Sequence, residues 1–130
     1  MYRFLWGLST RSSNLVIKVA SGITEAERVA QAFSVASTAL AAGVEVSLWL
    51  AGEASWLALP GRAEEFSLPH SAPLHEMLAT LIENGTVTLC TQCAVRRNIE
   101  DGDQIKGIRI AGTATFVEEI TRENTQALVY

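Results

Sequence analysis

The stretch "NLVIKVASGITEAERVAQAFSVASTALAAGVEVSLWLAG", Asn14–Gly52, decides the fold class because its hydrophobic period changes twice. Asn14–Ala20 is a short apolar run bounded by polar residues, which is typical of a buried strand. Apolar residues then recur at helical spacing, and Val44–Gly52 returns to the pattern of a strand. The helical stripe consists of Val29, Ala30, Phe33, Ala36, Ser37 and Leu40. This order predicts a βαβ unit with two parallel strands.

The predicted helix in this stretch carries a signal at each end. Thr24 and Glu27 have the spacing of a capping box, in which two side chains satisfy free amide groups at a helix start. Gly43 is the residue type that most often stops a helix. We therefore expect the helix to begin after Thr24 and to end at Gly43.

The same alternation of helices and strands continues along the chain. A short helical piece is predicted over Glu53–Leu59, followed by an irregular loop over Arg62–Pro73. The later predicted elements are a helix that Pro73 opens and Asn84-Gly85 ends, a strand over Thr86–Cys90, a short helix from Thr91, a strand over Ile108–Gly112, a helix over Thr113–Asn124 capped by Thr113, and a strand over Gln126–Tyr130. These elements predict one doubly wound α/β domain, residues 15–130, with a mostly parallel five-stranded sheet. Residues 1–14 form an N-terminal arm in this interpretation.

The composition narrows the classes of partner. The chain has 130 residues, of which 48% are hydrophobic, so a single domain can build its own core. Only 18% are charged, below the roughly 25% typical of soluble domains, which favours a homo-oligomer in which other copies cover part of the surface. A net charge of −4 and dispersed basic residues argue against binding nucleic acid.

The sequence also bears on location. No apolar run approaches the roughly 18 residues needed to span a bilayer, so no membrane partner is expected. The N-terminal "MYRFLWGLSTRSS" has only a short apolar patch and no small-residue cleavage site, unlike a secretory signal. We therefore expect a cytoplasmic protein. In that compartment a pair of cysteines is more often chemical or metal-binding than a structural disulfide.

Both cysteines lie in "TVTLCTQCAVRR", Thr86–Arg97, where a predicted strand turns into a helix. Cys90 ends the strand, and Cys93 falls in the first turn of the helix. Because sites in parallel sheets gather at the carboxyl ends of the strands, the pair lies where this fold keeps its chemistry. Free amide groups and the helix dipole at such a place favour the thiolate.

Other residues are expected around the same edge. Arg96 and Arg97, one turn after the cysteines, can add positive potential. The segments Ser21-Gly22 and Gly52-Glu53 are predicted to line the rim with backbone amides, although neither matches a phosphate-binding loop. The acidic pairs Glu64-Glu65 and Glu118-Glu119 are predicted to be solvated.

From the residues alone, several interpretations of the cysteine pair stay open. The two residues can simply be small and buried, as unpaired cysteines often are. A thioredoxin-like oxidoreductase fits poorly, because all three prolines precede the motif and none can begin a strand after it. A zinc site would combine both cysteines with His70 and His75, which lie in the loop and helix start on the same predicted edge.

The remaining interpretation is sulfur chemistry. Cys90 would act as a nucleophilic thiolate that accepts a sulfur atom as a persulfide. Cys93 would serve as a resolving or second thiol, and Arg96, Arg97, His70 and His75 are the candidate supporting residues. No resident metal and no cofactor are expected for this chemistry.

Several segments together resemble the DsrE/DsrF-like sulfur-relay family. These are "TEAERVAQAFSVASTALAAGVEVSLWLAGEA", "PLHEMLATLIENGTVTLCTQCAVRRNI" and "IKGIRIAGTATFVEEI", and the likeness runs from about Leu15 to Val129. Its most specific elements are the strand that ends in cysteine, the A-x-x-R-R helix and "GIRIAG" before a helix. Family members often have glycine where Asn98 stands.

The resemblance implies a flavodoxin-like three-layer α/β/α sandwich, a trimer or hexamer, and a cytoplasmic location. It implies that the cysteine at position 90 carries sulfur to a partner protein, with a second cysteine at the position of Cys93. The expected function is thus that of a sulfur carrier or sulfurtransferase subunit with sulfur-donor and sulfur-acceptor partner proteins. Two alternatives are an oligomeric binding or scaffold protein with incidental cysteines and a zinc-stabilised module.

Overall fold

The computed structural model describes residues 13–130. The strands in this range are β1 (Asn14–Val19), β2 (Glu45–Leu50), β3 (Thr86–Cys90), β4 (Arg109–Ala111) and β5 (Thr125–Val129). The α-helices are α1 (Ala26–Ala41), α2 (Leu74–Asn84), α3 (Thr91–Arg96) and α4 (Thr113–Ile120). Short 3₁₀ helices cover Ile23–Glu25, Gly52–Ala58 and Ala63–Glu65.

The five strands form one sheet in the order β4-β3-β2-β1-β5. Every neighbouring pair is parallel, so the predicted mostly parallel sheet is parallel throughout the described residues. The register places Val16 beside Ser47 on one side and beside Ala127 on the other. The predicted α/β class is confirmed, and β5 returns across the sheet to pair with β1.

One face of the sheet carries the main core. The helices α1 and α2 cover it, and the predicted stripe of α1 faces inward, with Val29, Ala30, Phe33 and Ala36 buried. The fully buried side chains there include Ile17, Phe33, Leu48, Leu50, Leu74, Leu81 and Leu89. Each of these large apolar side chains contributes about 1.5–3 kcal/mol to folding when it leaves water, so this layer holds the domain together.

Within the described part of the chain, helix α4 covers the other face. Phe116 projects from α4 against Trp49 in an edge-to-face arrangement, with ring centroids 5.3 Å apart at 80°. Val16 completes this smaller core, and Lys18 places its Nζ 3.9 Å from the centroid of the Phe116 ring. Helices on both faces give the predicted three-layer sandwich, with a thin second layer.

Two predicted helix caps are wrong. Thr24 and Glu27 form no capping box, because Ile23–Glu25 first makes a 3₁₀ turn in which the Glu25 N–H donates to the Gly22 carbonyl at 2.9 Å. Thr113 is the first residue of α4 and makes no side-chain cap, and α4 ends at Ile120 and not at Asn124. The predicted stops at Gly43, with φ of 87°, and at Gly85 are confirmed.

The predicted arm, residues 1–14, lies outside the described residues except for Ser13 and Asn14. Asn14 is already the first residue of β1. Among residues 13–130, no helix combines the length and the apolar character that crossing a membrane requires.

Candidate functional site

The two cysteines lie together at the carboxyl edge of the sheet. Cys90 is the last residue of β3, and Cys93 lies in the first turn of α3. They pack against each other and against Ala51, which follows β2, and both are free thiols. Cys90 is 8% exposed and Cys93 is 9% exposed, so both residues are largely shielded from solvent.

A backbone amide holds the sulfur of Cys93. The N–H of Gly52 donates to Cys93 Sγ with 3.2 Å between the two atoms. Gly52 has φ of 49°, a left-handed conformation, and a Cβ at this position would lie 2.7 Å from the carbonyl oxygen of Ala20. Only glycine fits there without strain, which explains why the residue after Ala51 is a glycine. The prediction that Gly52 lines this rim is confirmed.

The surroundings of Cys93 favour its thiolate. Burial by itself would raise the pKa of Cys93, but hydrogen bonds to its sulfur from the Gly52 amide and the Cys90 thiol act in the opposite direction. The positive charges of Arg97 and, to a smaller extent, Arg96 add to them. Together these interactions hold the pKa of Cys93 below the usual value of a cysteine.

The thiol of Cys90 has two acceptors near it. One is the sulfur of Cys93, and the other is the side-chain oxygen of Gln92, whose Oε1 lies 3.9 Å from Cys90 Sγ. A contact of that length to a thiol is weak. Gln92 was not among the residues that the sequence indicated.

Arg97 ties α3 to the loop that carries Gly52. Its Nη2 and Nε donate to Oε2 of Glu53 at 2.7 and 3.2 Å, and its Nη1 donates to the carbonyl oxygen of Cys93 at 3.1 Å. The Arg97 side chain is 17% exposed, whereas Arg96 points into solvent. Arg97 therefore both adds positive charge and fixes the distance between Gly52 and Cys93. The pairing with Glu53 could not be read from the sequence, because the two residues lie on different elements.

Comparison with known protein families covers most of the chain. Residues 13–125 match the DsrE/DsrF-like family. The chain belongs to the DsrE/DsrF-like family. Membership in this family suggests a role in sulfur relay in general.

Individual relatives of this DsrE/DsrF-like chain are distant. It is 25% identical over 118 residues to the uncharacterised protein MJ0760 of Methanocaldococcus jannaschii, covering 90% of this chain. The aligned region is 43% of that relative, so the chain spans less than half the length of the curated relative that it matches.

Two solved structures share the fold. The ychN protein from E. coli superimposes with a TM-score of 0.74 at 19% identity, over 91% of this chain and 99% of that one. The MTH1491 protein of unknown function from Methanobacterium thermoautotrophicum gives a TM-score of 0.70 at 11% identity, over 90% and 98% of the two chains. The DsrE-like fold predicted from the sequence is confirmed.

Neither histidine contacts the cysteines of this DsrE-like site. His70 is exposed, has φ of 61° and lines a groove with Gln31 of α1 and with Tyr130. His75 is an exposed first-turn residue of α2, with Nε2 4.0 Å from the neighbouring Glu76. Within residues 13–130, no group of three or more His, Cys, Asp or Glu side chains is placed to hold a metal ion. The four-ligand zinc set considered from the sequence is therefore not assembled.

The prediction that Glu119 is solvated is wrong. Glu119 is 6% exposed beneath α4, because it lies three positions after Phe116 and shares its inward side. Its Oε1 accepts hydrogen bonds from Ser47 Oγ at 2.7 Å and from Trp49 Nε1 at 3.0 Å. Its Oε2 pairs with Arg109, whose Nε donates to Thr88 Oγ1 at 2.6 Å. This Glu119 network joins α4 to β2, β3 and β4.

The Glu119 network also sets the charge state of its carboxylate. Burial alone would raise the pKa of Glu119, but hydrogen bonds from Trp49, Arg109 and Ser47 outweigh it, and the charge of Arg109 adds to them. The pKa of Glu119 is therefore held below its usual value. A helical-phase count from Phe116 is the sequence signal that would have placed Glu119 inside.

Proposed function

We propose that this protein is a sulfur carrier in which Cys90 accepts a sulfane sulfur as a persulfide and passes it to a partner. The observation that carries the proposal is the contact, at the carboxyl edge of the sheet, between Cys90 and Cys93, whose sulfur accepts a hydrogen bond from the Gly52 amide. The general role of the family in sulfur relay supports it.

Loading needs a deprotonated Cys90 and a donor that carries sulfane sulfur. Cys90 loses its proton to solvent, and the resulting Cys90 thiolate attacks the outer sulfur of a donor persulfide. A bond forms between Cys90 Sγ and that sulfur, and the donor leaves as a thiolate with the electron pair of the broken S–S bond.

Transfer onward is the same reaction in the other direction. A thiolate of the acceptor attacks the outer sulfur on Cys90 and leaves Cys90 as a thiolate, which takes up a proton. Donor and acceptor are proposed to be proteins. Cys90 is only 8% exposed. This burial supports a partner that presents its thiol on a protruding segment.

We further propose that the protein is a homo-oligomer, a trimer or a hexamer, in the cytoplasm. Strand β5 supports the oligomer, because one of its long edges is unpaired among the described residues and its side chains are largely exposed. Leu128 is 38% exposed and Val129 is 69% exposed, and the strand carries no charge that would protect its edge.

Mass spectrometry of the intact protein tests sulfur loading. The native protein, Cys90→Ser and Cys93→Ser are treated with inorganic polysulfide under anaerobic conditions. Their intact masses are measured after desalting. We expect one added sulfur atom on the native chain and on Cys93→Ser, and none on Cys90→Ser. A variant with both His70→Ala and His75→Ala serves as the control and is expected to load like the native chain. If Cys90→Ser still gains a sulfur atom, Cys90 is not the carrier residue.

One observation favours a different function, a binding or scaffold protein whose cysteines are incidental. Both thiols are more than nine-tenths buried, as structural cysteines often are. In that case neither thiol would load sulfur, and both would react slowly with iodoacetamide in the folded protein. The oligomer would be unaffected by Cys90→Ser.

A further inference from the structure

The chain has two cysteines in total, and they contact each other. A persulfide formed on Cys90 therefore always has a second thiol beside it. The described structure also places a hydrogen-bond donor on the second sulfur, because the Gly52 amide donates to Cys93 Sγ at 3.2 Å, a contact that favours the thiolate. A carrier that only held sulfur would need no such neighbour.

We propose that the protein has a further activity, the reductive release of sulfane sulfur as hydrosulfide, in which Cys93 attacks the persulfide on Cys90. This inference rests on the proposed function, since it begins from the loaded Cys90. In this activity Cys93 removes the persulfide from Cys90 when no acceptor protein binds. The substrate class is a cysteine-bound sulfane sulfur, and the product is hydrosulfide.

The step balances within the chain. The Cys93 thiolate attacks the inner sulfur of the persulfide, which is Cys90 Sγ, and a Cys90–Cys93 disulfide bond forms. The bond between Cys90 Sγ and the outer sulfur breaks, and the outer sulfur leaves with the electron pair as hydrosulfide. Cys93 is oxidised and the outer sulfur is reduced, so no external oxidant is needed.

The geometry favours attack on the inner sulfur. That atom is the one that Cys93 already contacts, and addition of sulfur to Cys90 does not remove it from its place at the end of β3. The outer sulfur can rotate away about the new bond, whereas Cys93 Sγ stays anchored to Gly52. Hydrosulfide is a weaker base than an ordinary thiolate, and a less basic group leaves faster in thiol–disulfide exchange.

The burial of the site makes internal attack compete well with outside thiols. Cys90 is 8% exposed, so a thiol in solution has little access to it, whereas Cys93 already contacts it. A positioned intramolecular nucleophile gains several orders of magnitude in rate over a free one. Turnover then requires a dithiol from solution or from a partner protein, which reduces the Cys90–Cys93 disulfide and is itself oxidised.

The experiment follows free sulfide and intact mass after a single loading. Native protein, Cys93→Ser and Cys93→Ala are loaded with inorganic polysulfide without oxygen, desalted and incubated with no added thiol. We expect the native chain to release about one hydrosulfide per loaded chain and to end two hydrogens lighter than the reduced chain. Both variants should keep the added sulfur, with release at least about 100-fold slower.

A measurement on the native protein covers the case in which the variants fold poorly. The rate of sulfide release should fall as the pH is lowered through the pKa of Cys93, because protonated Cys93 cannot attack. A native chain that keeps its sulfur as long as Cys93→Ser, or that releases sulfide without forming the disulfide, overturns this inference and leaves the carrier function standing. Failure of every form to load sulfur overturns the carrier function, and the inference with it.

Discussion

The backbone N–H of Gly52 donates to Cys93 Sγ at 3.2 Å across 41 positions of sequence. Gly52 lies just after β2, and Cys93 lies in the first turn of α3, which follows β3, so the pairing of β2 with β3 sets this contact. A main-chain donor cannot be removed by changing its side chain. The Gly52 N–H can be displaced by a substitution that changes the backbone conformation of Gly52.

Substitution of Gly52 by alanine should displace that donor. The new Cβ would lie 2.7 Å from the Ala20 carbonyl oxygen, in a residue with φ of 49°. We expect Gly52→Ala to lower the free energy of unfolding by about 2–3 kcal/mol and to raise the pKa of Cys93. Urea unfolding and the pH dependence of iodoacetamide alkylation, with Cys90→Ser as background, measure the two effects.

Gly61 offers the matched control for this prediction. It has φ of 83° but open space around its Cβ position, so Gly61→Ala carries backbone strain without a clash. We expect a loss of about 1 kcal/mol and no change in the alkylation profile. Equal alkylation profiles for the two variants would show that the Gly52 amide does not hold the Cys93 thiolate.

Substitution of Arg97 should also raise the pKa of Cys93. Arg97 supplies positive charge, and its bridge between Glu53 and the Cys93 carbonyl fixes the Gly52 loop. Arg97→Gln removes the charge, so we expect alkylation of Cys93 to require a higher pH than in the parent chain. Arg122→Gln is the control, because Arg122 pairs with Glu118 on the exposed side of α4. A profile shifted to lower pH, or not shifted, contradicts the role given to Arg97.

The Glu119 network predicts a pH-dependent part of stability. The pKa of Glu119 is lower in the folded chain than in the unfolded chain, so its ionisation stabilises the fold at neutral pH. That contribution is lost as the pH falls through the folded-state pKa. We expect Glu119→Gln to cost about 2 kcal/mol at neutral pH and to flatten the acid side of the stability curve.

The neighbouring Glu118 provides a matched pair for this measurement. Its side chain is 73% exposed and pairs with Arg122 at 3.4 Å, an arrangement worth little in water. Glu118→Gln should change the free energy of unfolding by less than about 0.5 kcal/mol at any pH. Thermal unfolding of both variants between acid and neutral pH gives the comparison, and indistinguishable curves would rule out a special role for Glu119.

The open edge of β5 predicts the site of subunit contact. Val129→Lys places a charge on an edge strand that now has none, and such charges block edge pairing. We expect light scattering to give a lower mass for this variant than for the native protein. Val95 on α3 is equally exposed, at 69%, and Val95→Lys is expected to leave the mass unchanged. A drop in mass for Val95→Lys alone would move the interface to α3.

The sequence predicts the strands and helices, because these depend on local hydrophobic period. It predicts few of the contacts between residues that are distant in the sequence. The strand that ends in Cys90 and the helix that begins beside it follow from hydrophobic spacing, and so does their place at the carboxyl edge. The Arg97–Glu53 pair and the order of the strands arise only when separate elements meet, which no local pattern records. Glu119 was misplaced for another reason: an adjacent pair of acids looks solvated until the phase of the helix is counted.

The pairing of β1 with β5 has a consequence for how the protein is made. The side chain of Asn14 reaches the carbonyl oxygen of Asn124 at 3.4 Å, across 110 positions of sequence. A ribosome must therefore translate nearly the whole domain before β1 gains its second neighbour. Until then one long edge of β1 has unpaired backbone N–H and C=O groups, which can pair with other nascent chains. Slow translation of α4 should therefore lower the yield of folded protein in cells. A chaperone that binds β1 should restore that yield.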